Sequence, residues 1–347
     1  MAGEEMKNST NRIVYFDVLN VLSCIFVVAL HVNKNSWNYE KTAYWFSALA
    51  VEVLCYCAVP VFFMLSGASL LNYRSKYSTQ TFFAKRLKKA IIPYIVWSLF
   101  FLLLKFRNTG FGGWRVLIEA ITGYGSQPTF WFMQAVINLY LCMPLLSLLA
   151  DQKYEKLRWY LILLGVASRI GIPMINQWTG ISFGSYYGAF VLDGFVLHAL
   201  LGYQLSVCRI SRKAVCGGVL LGILACAGRY FGTIFYSSIN GELSTAFYGY
   251  NTVWALFPAV GMFLSAKIIP FQSFISEKGQ LILKHLSGCS MGVYFVHTLV
   301  IEVFIKISGS FGHTILFNLL APIFVYAASL LAVSVLKKIP MVRNCVP

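Results

Sequence analysis

Residues 11–33 read NRIVYFDVLNVLSCIFVVALHVN, and their pattern decides the fold. The run matches the roughly 20 mostly apolar residues that carry a helix across a bilayer core. It is nevertheless interrupted by Asp17, Asn20 and His31. Ionisable groups inside a membrane helix are costly, so each marks a functional candidate. Asp17, Asn20, Cys24, Val27 or Val28 and His31 follow i+3/i+4 steps and share one helical stripe. From Asn20 to His31 that stripe climbs roughly 16 Å.

The rest of the chain repeats the apolar theme. Of 347 residues, 58% are hydrophobic and 12% charged, with 28 Phe, 20 Tyr and 8 Trp, which excludes a soluble domain and indicates a polytopic membrane protein. The formal charge of +16 is spread between apolar runs, a distribution that fits membrane topology and anionic headgroups rather than nucleic acid. The nine cysteines are mostly inside apolar runs and lack metal-ligand spacing; they read as small core residues, and no metal site is expected. The first apolar run lacks a small-residue cleavage site and reads as a retained helix.

Apolar runs separated by charged or Gly/Pro-rich breaks predict an all-α bundle of about ten transmembrane helices, at 13–33, 46–71, 90–106, 129–149, 159–173, 186–207, 215–236, 250–266, 288–305 and 315–336. Basic residues divide 20 to 8 between the two sides of that topology, in favour of the side bearing the termini, so both termini are expected in the cytoplasm. The opposite loops, 107–128 and 174–188, are rich in Gly, Trp, Tyr, Asn and Gln, residues suited to sugars and also to interfacial aromatic belts. Residues 1–347 read as a single membrane domain with no fused soluble domain.

Three further stretches carry candidate chemistry. Residues 59–94 pass Ser66 and Gly67 into a loop and helix where Arg74, Lys76, Lys85, Arg86, Lys88 and Lys89 occur without an acid. Such a patch suits anionic lipid or the phosphates of a nucleotide-like donor. Residues 288–305 hold Tyr294 and His297 at i, i+3, with Glu302 beyond them. Residues 129–144 begin TFW and bury Gln134 and Asn138, which also suits amide-mediated helix packing.

Five segments in this order, FDVLNVLSCIFVVALH, PVFFMLSGASLL, KRLKKAIIPY, TFWFMQAVINLYLCMP and SMGVYFVHTLVIE, resemble the acyltransferase 3 family of integral-membrane acyltransferases. The resemblance covers nearly the whole chain. It implies transfer of an acyl group, usually acetyl, from cytoplasmic acyl-CoA to a hydroxyl of an extracytoplasmic or lipid-linked saccharide, in a bacterial plasma membrane. The family's arginine, ten residues and histidine fall on Asn20 and His31, so the histidine is kept and the arginine is not. Its basic pairs fall on Lys85, Arg86, Lys88 and Lys89, and its late histidine helix on Tyr294 and His297.

The expected mechanism has His31 as general base on the acceptor hydroxyl, or as a transient acyl carrier, with His297 and Tyr294 positioning the donor or stabilising the oxyanion. Ser66, Arg74, Lys85, Arg86, Lys88 and Lys89 are the expected acyl-CoA contacts. Asp17, Asn20, Glu52 and Trp131 are expected to line the pocket or meet the acceptor. The alternative is a secondary transporter or flippase, which often shows paired inverted repeats; no second copy of the 12–33 or 59–94 pattern is visible.

Overall fold

A computed structural model of the chain describes residues 12–110, 112–123, 126–181, 194–340 and 342–346. Every regular element among these is helical. In order they are α1 Val14–Val32, α2 Ala43–Cys55, α3 Ala58–Leu70, α4 Thr79–Arg86, α5 Ile92–Thr109, α6 Trp114–Thr122, α7 Trp131–Leu146 and α8 Glu155–Val166. There follow α9 Ile172–Thr179, α10 Val196–Val207, α11 Arg212–Asn240, α12 Val253–Ile268, α13 Phe271–Phe274, α14 Glu277–Ser308 and α15 Ile315–Leu336.

Short connections join some of these into longer rods, and 8 stretches of the described residues are long and apolar enough to cross a membrane. Two shorter apolar helices, α10 and α12, fall where spans 186–207 and 250–266 were expected. The first part of span 186–207, like the end of the 174–188 loop, lies outside the described residues. The stretch 107–128, expected as a loop, contains α6.

Local chemistry explains the helix ends. Thr42, Ser78, Ser211, Ser276 and Thr314 cap α2, α4, α11, α14 and α15, each side chain accepting a hydrogen bond from a backbone N–H three residues on. The second span bends at Tyr56–Cys57, between α2 and α3, with Pro60 in the first turn of α3 where its missing N–H costs little. A π-helical turn at Leu87–Ile91 links α4 to α5, just ahead of Pro93.

α1 sits inside the bundle, packed against α14, α15, α3, α2 and α12. α3 crosses α10 at backbone distance, because Gly67 lies on the Ala199 carbonyl and Gly202 on Met64. Large side chains such as Leu103, Leu163, Phe231 and Leu331 point outward, as a lipid-facing surface requires. Two arginines counted toward topology are interior: Arg158 is 1% exposed and Arg229 is fully buried.

Candidate active site

A cavity of about 610 Å³ runs between α1, α3, α7 and α14. Its lining repeats the helical spacing on each wall: Asp17, Asn20, Cys24, Val27 and Val28 on α1; Phe62, Leu65, Ser66 and Ser69 on α3; Phe132, Val136 and Tyr140 on α7; Ser290, Met291, Tyr294 and His297 on α14. From Asp17 to Val28, roughly 16 Å, the stripe read from residues 11–33 is one wall of the cavity, while its last member, His31, does not line it.

The mouth is basic. Arg12, Lys76, Arg86 and Lys89 line it, with Asp17 as the acid among them. Arg12 grips Asp17 through Nε and Nη2, the latter 2.6 Å from Oδ1. Arg86 lies over the rings of Phe82 and Tyr140, at 5.7 and 5.5 Å, and its buried Nε has no hydrogen-bond acceptor among the described residues. A buried guanidinium N–H without an acceptor is a costly unpaired donor, and an anionic oxygen is the kind of group that would satisfy it. The π turn at Leu87–Ile91 falls inside the basic run, and such turns concentrate at functional sites.

The other basic residues of that run do different things. Arg74 donates to Ser147 Oγ at 2.7 Å and the Pro144 carbonyl at 3.3 Å, tying the loop after α3 to the end of α7. Lys85 sits over the Tyr77 ring at 3.8 Å. Lys88 is exposed and does not line the cavity.

At the inner end are two histidines. His297 Nδ1 lies 2.6 Å from the Tyr294 carbonyl and 3.2 Å from that of Val293. A carbonyl only accepts, so Nδ1 carries the hydrogen and Nε2 of the neutral ring is a lone pair. That lone pair lies 2.8 Å from His31 Nδ1, which must then carry the hydrogen. By the same logic His31 Nε2 is left as the free proton acceptor. The rings stack with centroids 4.9 Å apart. His297 is fully buried and forms cavity wall; His31 stands one ring further on and is partly exposed.

Tyr294 lines the cavity, but its hydroxyl donates to the Thr129 carbonyl at 2.7 Å. Its single O–H is spent on that bond, which suits positioning and leaves no donor for an oxyanion. Asn20 donates to Ser287, 2.9 Å to Oγ and 3.2 Å to the carbonyl, while Ser66 Oγ donates to the Phe62 carbonyl at 2.9 Å.

Glu52 and Trp131 are elsewhere. Glu52 accepts from Arg229 Nη2 at 2.8 Å and from the Tyr248 hydroxyl at 2.9 Å, in a buried network whose guanidinium lies 3.5 Å from the Tyr56 ring centroid. Trp131 stacks on Tyr250 and Phe195. The sequence reading missed Arg12 as a lining residue and Arg229 as a partner, and placed Lys76 in the basic patch without naming it among the expected acyl-CoA contacts. Arg12 had a signal, since it lies five residues before Asp17 at the start of the polar stripe.

Among the described residues, no three His, Cys, Asp or Glu side chains gather as a metal-holding group. Residues 13–338 match the family model described as an acyltransferase domain. No curated protein and no solved structure matches the chain.

Proposed function

The chain belongs to the acyltransferase 3 family, matched over residues 13–338, and from that premise we propose that it moves an acyl group, usually acetyl, from cytoplasmic acyl-CoA to a hydroxyl of an extracytoplasmic or lipid-linked saccharide. One observation carries the reading: a single cavity is lined by basic residues and by His297, which pairs with His31 just beyond the lining. The mouth holds the donor's phosphates through Arg86, Lys89, Lys76 and Arg12. The thin arm of the donor follows the α1 stripe past Asn20 and Cys24, opposite Ser66, and brings the thioester to the histidines. Excess basic residues on the side of the mouth support its cytoplasmic orientation.

In this mechanism the acceptor hydroxyl meets His31 from the side opposite His297. Its proton passes to His31 Nε2 as its oxygen attacks the thioester carbonyl. The C–S bond then breaks, the ester remains on the acceptor, and the leaving thiolate takes the proton back from the imidazolium. His297 Nε2 stabilises that imidazolium by accepting from His31 Nδ1, and the Tyr294 carbonyl holds His297 in the tautomer that permits it.

The test uses protein reconstituted in bilayer discs, radiolabelled acetyl-CoA, and cell-surface saccharide as acceptor. Label that enters saccharide only when protein is present supports the proposal. Label carried across a sealed vesicle with its thioester intact supports the transporter alternative, and saccharide that stays unlabelled in the presence of folded protein refutes acyl transfer from this donor to this class of acceptor.

A further inference from the structure

The cavity changes along its length from charge to hydrocarbon. Opposite the basic mouth, its inner wall is formed by Val27, Val28, Phe62, Phe132, Tyr294 and His297. Tyr140, Val136 and Phe132 follow one another at steps of four on α7. Phe132 therefore lies roughly 12 Å deeper than Tyr140, whose ring faces Arg86 at the mouth.

Two rings of that wall are fixed by hydrogen bonds, Tyr294 to the Thr129 carbonyl and His297 to the Tyr294 carbonyl. Phe132 is held by packing alone, with ring centroids 5.8 Å from Phe62, 5.4 Å from Phe63 and 5.4 Å from Tyr294. It is half-buried and lines the cavity.

Resting on the acyl-CoA reading above, we propose that Phe132 closes the acyl end of the cavity and limits the donor to short acyl groups. With the phosphates at the mouth and the thioester carbon beside His297, the atoms beyond the carbonyl run into the wall of Phe132, Phe62 and Val28. Each further methylene must displace a packed ring, and a well-packed apolar site resists added volume. One methylene more or less in such a pocket changes selection by about 10–200-fold.

The experiment is calorimetric titration of the purified full-length protein with acetyl-, butanoyl- and hexanoyl-CoA. The wild type is expected to bind hexanoyl-CoA at least about 10-fold more weakly than acetyl-CoA. Phe132→Ala is expected to abolish or reverse that order, and Phe132→Leu, which keeps an apolar side chain and preserves the fold if the alanine variant does not, to shift it part of the way. Phe231→Ala, at a 67% exposed ring on another helix, should keep the wild-type order. An unchanged order in the folded Phe132 variants overturns the proposal and leaves the donor assignment standing. Failure of the wild type to bind any of the three thioesters overturns both.

Discussion

His31 Nδ1 lies 2.8 Å from His297 Nε2, joining the first membrane helix to one that begins more than 240 residues later in the chain. The bond matters because its direction is fixed from behind: the Tyr294 carbonyl holds the hydrogen on His297 Nδ1, so His31 must donate and its own Nε2 is left open. A general base contributes about 10²–10⁴-fold, so His31→Ala should lower acyl transfer by that much. His297→Ala should cost less, and His297→Gln less again, because an amide oxygen can still accept from His31 Nδ1. Initial rates with saturating acetyl-CoA measure this, and equal rates in wild type and His31→Ala would refute the base assignment.

The basic mouth predicts a different kinetic signature. Arg86→Gln and Lys89→Gln each remove a charge that lines the cavity and should raise the KM for acetyl-CoA about tenfold, the size of one charge-assisted contact, with a smaller effect on kcat. Lys88→Gln, an exposed residue away from the lining, should leave KM unchanged. Raising ionic strength should weaken donor use in wild type more than in the Arg86→Gln, Lys89→Gln double variant. Equal KM increases at Lys88 and Lys89 would mean that the run acts as a diffuse charge.

These residues also mark what the sequence could and could not disclose. The spans were legible because length and apolarity are local properties, and all ten expected positions carry apolar helix among the described residues. The α1 stripe was legible for the same reason, since helical spacing alone puts Asp17, Asn20 and Cys24 on one wall. The basic run was not resolvable: Lys85, Arg86, Lys88 and Lys89 are equivalent as letters, and only the π turn and the packing of α4 against α7 bring Arg86 and the exposed Lys89 to the cavity lining. Arg229 was counted as a topological charge because nothing local reveals a partner 177 residues away.

That partner gives a stability prediction. Arg229 and Glu52 are 0% and 2% exposed at their side chains and 2.8 Å apart, with Tyr56 and Tyr248 stacked about the guanidinium. Removing one member leaves the other charge buried and unpaired, so Glu52→Ala or Arg229→Ala should destabilise by about 3–5 kcal/mol. The double variant Glu52→Leu, Arg229→Met removes both charges and should recover most of that loss. The bend at Tyr56–Cys57, which aims α3 and its lining residues at the cavity, lies against this network through Tyr56. Thermal unfolding of the purified variants measures the effect; additive losses in the double variant would show that the pair is not energetically coupled.

Glycines offer a contrast of sign within one residue type. A methyl at Gly67 would fall onto the Ala199 carbonyl, a backbone atom that cannot swing aside, because α3 and α10 touch there. Gly67→Ala must push the two helices apart, separating Ser66 and Phe62 from the walls they face, and should lower both the unfolding temperature and acyl transfer. Gly217, on α11, has nothing within 4 Å of the same added methyl. There the only change is helix propensity, so Gly217→Ala should be neutral or stabilising by up to about 1 kcal/mol. Thermal unfolding of the two variants side by side decides the matter: a loss at Gly67 with none at Gly217 marks the α3–α10 crossing as backbone packing, whereas equal small shifts would mean that the helices have room to separate.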